Sequence, residues 1–156
     1  MELLLLRHGI AERPTDARED ADRPLSEPGR RGLRGALRGL EALDLMPDAV
    51  LAGPWRRDEE SARLVADAAR APLRVLASAP EPPDEALLAL LNDSDFQRPA
   101  VVGHQPWLSA LLAWLTLGDP GAAASFRIKK AGVAWLRGEP RSGGMQLRAL
   151  LPPRQP

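Results

Sequence analysis

The sequence predicts a three-layer α/β domain, a mostly parallel sheet with helices on both faces and an antiparallel edge. Short, wholly apolar runs alternate with longer segments patterned at helical spacing, as in parallel strands covered on both sides. Two of these runs end in a histidine beside a glycine: Leu3-Leu4-Leu5-Leu6 before Arg7-His8-Gly9, and Val101-Val102 before Gly103-His104. Near the end of the chain two apolar runs flank Gly143-Gly144, which suits an antiparallel pair.

The elements follow in order. Glu2 to Arg7 reads as a buried strand closed by Gly9, and residues 11–24, rich in Asp, Arg and Pro, as a loop. Ser26 suits the N-cap of a helix from about Glu27 to Leu43, where its hydroxyl can accept an orphan amide and Pro28 is tolerated in the first turn. Leu33, Ala36, Leu37 and Leu40 give that helix its apolar face. Pro47-Asp48 closes the unit, and Ala49-Val50-Leu51-Ala52 is a second strand. Gly53-Pro54 turns the chain into a helix over 55–69. Pro72 to Leu76 is a third strand. Ser78 to Asp84, with three prolines, is a loop. Glu85 to Leu91 is a short helix and Pro99 to Gly103 another buried strand. Pro106 opens a helix to about Leu117. Gly118 to Ser125 is a loop, and Val133 to Leu136 and Met145 to Leu151 are the last two strands. The tail, 152–156, is expected to fray.

A chain of 156 residues suits one domain spanning 1–156, with no internal repeat. Its 44% apolar and 27% charged content is that of an ordinary globular protein. The formal net charge is zero, so no overall imbalance points to nucleic acid or a membrane surface. Arg30, Arg34 and Arg38 form a stripe expected to be the solvated side of the first helix. The absence of cysteine excludes disulfides, thiolate metal sites and a cysteine nucleophile. No apolar run approaches the roughly 18 residues of a membrane span, and the start does not read as a signal peptide. A cytoplasmic monomer is expected.

Four residues carry the chemistry, and they come from three strand-to-helix junctions. Arg7 and His8 follow the first strand, Arg57 lies in the first turn after Gly53-Pro54, and His104 follows a later strand. In an open α/β sheet the carboxyl ends of strands form the rim where ligands bind. Two guanidinium forks match phosphate oxygens and balance a dianion, and helix N-termini add amide donors. Neighbouring arginines disfavour the imidazolium form, so His8 can attack phosphorus as a neutral imidazole. His104 can donate to the phosphoryl oxygens as charge shifts. The arginines supply the cationic charge, so no metal or other cofactor is required; a zinc site on the two histidines lacks a third ligand. Ser61, one turn after Arg57, either orients the guanidinium or lies on the surface. Trp55 and Trp107 either wall the mouth of the site or pack in the core, Trp114 packs in the core or at the rim, and Glu59-Glu60 either pairs with arginines or, as is commoner, lies in solvent.

These segments resemble a known family. Leu6-Arg7-His8-Gly9 resembles the signature of the histidine phosphatase, or phosphoglycerate mutase-like, superfamily. With Ile10-Ala11-Glu12, Asp22-Arg23-Pro24-Leu25-Ser26 and Gly29, it is similar to the small SixA-type phosphohistidine phosphatases. Gly53-Pro54-Trp55-Arg56-Arg57 resembles the family's S-P-x-x-R segment, which makes Arg57 the second phosphate-binding arginine. Val102-Gly103-His104-Gln105-Pro106 resembles G-H-x-P, and Lys129-Lys130-Ala131-Gly132 resembles the segment before the last strands. Gly53, Glu60 and Ser61 stand where the family usually has Ser, Gln and Thr, a departure that bears on how Arg57 is supported.

The resemblance implies the phosphoglycerate mutase-like fold, His8 as nucleophile, His104 as its catalytic partner, and a phosphohistidine on a signalling phosphotransfer protein as substrate. Larger members place a glutamate acid on an inserted segment for which this chain has little room. Glu12, Asp22, Glu81 and Asp84 are the candidates for a general acid, and none is singled out. A labile P–N bond needs less protonation than an alkoxide does, so a site poor in acid favours phosphohistidine. Two alternatives stand beside this: a phosphatase of small phosphate esters, and a non-catalytic module that binds phosphate or a phosphoprotein.

Overall fold

The first strand, β1 (Glu2–Arg7), carries four consecutive leucines because both of its faces are covered. Leu3 and Leu5 enter one apolar cluster, and Leu4 and Leu6 enter a second, as the two-residue period of a strand demands. The first cluster takes in α3 (Glu85–Asn92) and α4 (Trp107–Leu117), and the second α1 (Glu27–Ala42) and α2 (Arg56–Ala69). These are the three layers in the computed structural model, which describes residues 1–153. The expected frayed tail, 152–156, falls in part on residues outside the described ones.

Strands β2 (Ala49–Ala52), β3 (Leu73–Val75), β4 (Pro99–Gly103), β5 (Val133–Gly138) and β6 (Met145–Leu151) complete one sheet of order β3-β2-β4-β1-β5-β6. β1, β2, β3 and β4 run parallel; β5 is antiparallel to β1, and β6 to β5. The fold is therefore the expected α/β one. β2 and β4 are buried at every residue, whereas β6, at the edge, alternates.

The helices start and stop for local reasons. Ser26 caps α1, accepting from the Gly29 N–H at 3.1 Å and donating to the Ile10 carbonyl at 2.8 Å. α4 is apolar nearly all round because the sheet covers one side and a 3-10 turn, Pro120–Ser125, packs against it. That turn, and a second at Asp20–Asp22, lie in segments that the sequence alone reads as loops. Among the described residues no helix is long and apolar enough to cross a membrane.

Register positions the site. Arg7 stands opposite Gly103, and Ala52 opposite Val102. The carboxyl ends of β1, β4 and β2 therefore finish nearly level, and His8, His104 and the Gly53-Pro54 turn emerge side by side.

Candidate active site

The His8 N–H donates to the Gly103 carbonyl at 3.0 Å, tying the end of β1 to the residue before His104. The His8 ring is 5% exposed, and its Nδ1 lies 2.6 Å from the Gly9 carbonyl. A carbonyl only accepts, so Nδ1 carries the hydrogen and Nε2 keeps its lone pair. Arg57 Nε–H donates to that lone pair at 3.3 Å. Burial is the largest cause lowering the His8 pKa to about 4; Arg57, Arg7 and Lys130 add to it, and the Gly9 hydrogen bond opposes. Burial, rather than the arginines named from sequence, is therefore the leading cause of its neutrality.

The backbone around His8 is fixed by close approach. A Cβ on Gly9 would lie 2.7 Å from the Gly29 carbonyl, and one on Gly29 2.1 Å from that of Ile10. Ser61, wholly buried, accepts from the Gly9 N–H at 3.1 Å. It thus holds the loop that carries His8 and neither orients Arg57 nor lies on the surface. On the other side, the Ala131 N–H points at the carbonyls of Arg7 and His8, at 3.0 and 3.1 Å.

Arg57 is 4% exposed. Its other nitrogens donate to the Asp20 carbonyl at 2.7 Å and the Asp20 carboxylate at 3.1 Å, and its guanidinium lies 4.2 Å from the centre of the Trp55 ring. Those bonds explain the turn at Asp20–Asp22. They also hold the Asp20 carboxyl below the usual carboxylate range. Arg7 donates to the Ile128 carbonyl at 3.0 Å, while its buried Nε has no partner among the described residues. Burial, Arg127 and Arg57 all weigh against its charge, so an anion here would relieve a crowd of cations.

His104 is 3% exposed, with Nδ1 at 2.6 Å from Asp58 Oδ2. The Trp55 ring stacks on it, centroids 3.6 Å apart and planes 9° apart, and Trp107 lies 6.1 Å away. Trp55 is half-buried and belongs to the site; Trp107 and Trp114 are buried in the core. Asp58 is wholly buried. Burial raises its pKa, while the His104 hydrogen bond pulls it back. Asp58 and Asp20 carry no functional mark in the sequence. An acid in the first turn of a helix reads as an ordinary dipole partner, and Asp20 lies in a polar loop.

The remaining carboxylates are elsewhere. Glu12 faces Arg18 at 3.5 Å, and Asp22 lies 3.8 Å from Arg56. Glu81 and Asp84 are exposed. None of the four bonds to Arg7, His8, Arg57 or His104 among the described residues. Glu60, expected in solvent, accepts from the Leu25 N–H at 2.8 Å and lies 3.5 Å from Arg56; Glu59 pairs with Arg63 at 3.2 Å. No group of three or more acidic or histidine side chains that could hold a metal ion occurs among the described residues.

The structure thus brings together all four residues singled out in the sequence. They form a cationic rim around a neutral imidazole lone pair, with a second imidazole beside it, which can bind a tetrahedral dianion and attack it.

The fold recurs in solved structures. The protein histidine phosphatase SixA, complexed with tungstate, superposes with a TM-score of 0.81 at 24% identity, covering 98% of this chain and 97% of that one. The α-ribazole phosphatase of Shigella flexneri gives 0.71 at 19% identity, covering 100% and 98%. An uncharacterised protein of Picosynechococcus sp. is 32% identical over 154 residues, 96% of this chain and 90% of that one. The family model of the histidine phosphatase superfamily (branch 1) matches residues 3–81, which include Arg7, His8 and Arg57. By that match, the chain belongs to the histidine phosphatase superfamily.

Proposed function

We propose that the chain is a metal-independent phosphatase that carries the phosphoryl group on His8 and acts on phosphohistidine of a signalling phosphotransfer protein. The observation that supports it best is the tautomer of His8. With Nδ1–H committed to the Gly9 carbonyl, the Nε2 lone pair faces the cationic rim. The phosphoryl oxygens displace Asp20 from Arg57 and are held by Arg57, Arg7 and His104. Nε2 then forms a bond to phosphorus as the substrate's P–N bond breaks; the electron pair goes to the substrate nitrogen of a ring already protonated on its other nitrogen, which leaves as neutral imidazole. Water next attacks phosphorus, the P–Nε2 bond breaks, its pair returns to Nε2, and inorganic phosphate departs.

The substrate class is favoured by where carboxylates are. Glu12, Asp22, Glu81 and Asp84 do not bond to the site residues, and the two carboxylates that do, Asp20 and Asp58, are engaged by Arg57 and His104, which suits a leaving group that needs little protonation. A small phosphate ester is the second reading, favoured by the likeness to the α-ribazole phosphatase fold. Acid-sensitive phosphoenzyme trapping tests the mechanism: label on the native protein and none on His8→Ala is expected. Label retained in that variant removes His8 as nucleophile. A phosphohistidine peptide should turn over much faster than alkyl phosphates, and equal rates would favour the second reading.

A further inference from the structure

Gly53 and Asp58 depart together from what the neighbourhood of His104 would otherwise allow. A Cβ on Gly53 would lie 2.5 Å from Asp58 Oδ2 and 3.2 Å from its Cγ. Any side chain at 53 therefore excludes the carboxylate from where it stands. One bond beyond that Cβ, a serine hydroxyl can point into the space that Oδ2 now fills beside His104. Glycine at 53 thus leaves open the space in which Asp58 sets an ionisable acceptor against His104.

We propose that Asp58 is a positioning residue that keeps His104 protonated on both ring nitrogens, so that its Nε2–H faces the phosphoryl group. This rests on the reading that His104 meets that group. With Asp58 ionised, Nδ1 at 2.6 Å from its oxygen carries the hydrogen. If Nε2 held only a lone pair it would repel a phosphoryl oxygen, so the useful state is the imidazolium, which a carboxylate at hydrogen-bond distance stabilises. Asp58 Oδ1 has no hydrogen-bond partner among the described residues, where His104 is the side chain bonded to this carboxylate. The stacked Trp55 ring fixes the plane of the imidazole, and an aromatic face favours a cation. The other titratable groups at this end of the sheet are Arg57 on α2, Arg7, His8 and Lys130 around the end of β1, Arg127 beside Arg7, and Asp20, whose carboxylate is paired with Arg57. Asp20 is taken up by Arg57, so Asp58 is the anion that meets His104. On the remaining side α4 contributes Trp107, which carries no charge.

The test uses the full chain, Asp58→Asn, and the double variant Gly53→Ser/Asp58→Ala, which offers His104 a neutral acceptor in the same place. With only two histidines in the chain, nitrogen NMR assigns both rings directly, with tungstate as the bound oxyanion. His104 is expected to carry two protons at neutral pH in the native protein and one in both variants. Turnover per KM should fall about a hundredfold, and the alkaline limb of its pH profile should move to lower pH. The double variant keeps the test open if Asp58→Asn does not fold. Two protons on His104 in the variants, or one in the native protein, overturn the proposal. A native protein that forms no phosphoenzyme, yet shows the same change in His104 protons, would remove the functional reading and leave the Asp58–His104 pairing standing.

Discussion

His8 has its pKa lowered to about 4 from the ordinary 6.5, chiefly by burial. Its reactive form is the neutral one, so turnover is present above the folded-state pKa and lost as pH falls through it. The acid limb of kcat/KM is therefore expected near pH 4, and a limb near the ordinary imidazole value would contradict it. Lys130 is the smallest of the causes acting on His8, so Lys130→Ala should leave that limb almost unmoved. At this scale the sequence was most legible where residue types are scarce. Two histidines, each behind an apolar run, point to one rim from the sequence alone. Asp58 and Asp20 do not, because their meaning lies in contacts with His104 and Arg57, 46 and 37 residues away in the chain.

Helix α1 carries two glycines whose replacement by alanine should act in opposite directions. A Cβ at Gly29 would sit 2.1 Å from the Ile10 carbonyl, so Gly29→Ala must push apart the helix and the loop behind His8. It is expected to lower stability by about 2–3 kcal/mol and to reduce turnover as well, since the same loop orients the imidazole. A Cβ at Gly39 meets nothing within 4 Å, so Gly39→Ala should raise stability by about 0.5–1 kcal/mol and leave turnover alone. Urea titration with a parallel assay separates the two; equal effects would refute the crossing geometry. Ser26→Ala removes the cap and should cost about 1 kcal/mol. Such caps and apolar faces made the helix boundaries readable to within a residue or two. The 3-10 turn at Asp20–Asp22 was not readable, because its reason is Arg57 on another element.

For the whole molecule, alternating apolar runs announced parallel strands, but not that β4 would lie between β1 and β2. That order depends on which strands pair, and apolar pattern is nearly the same in all of them. Yet this order sets His8 beside His104 and buries it, and the burial couples catalysis to stability. The unfolded chain binds a proton on His8 near pH 6.5 and the folded protein only near pH 4. Stability from this group is therefore complete above the unfolded value, declines as pH falls between the two, and levels off below the folded one. The gap of about 2.5 units corresponds to about 3 kcal/mol. In His8→Gln, which cannot take up that proton, the decline should be missing. Unfolding free energies of the two proteins, measured in urea from neutral pH to pH 4, should therefore converge or cross by about that amount as acid is added. A difference that stays constant over this range would mean that His8 is solvated in the folded state, and with it the account of a buried, neutral nucleophile would fall.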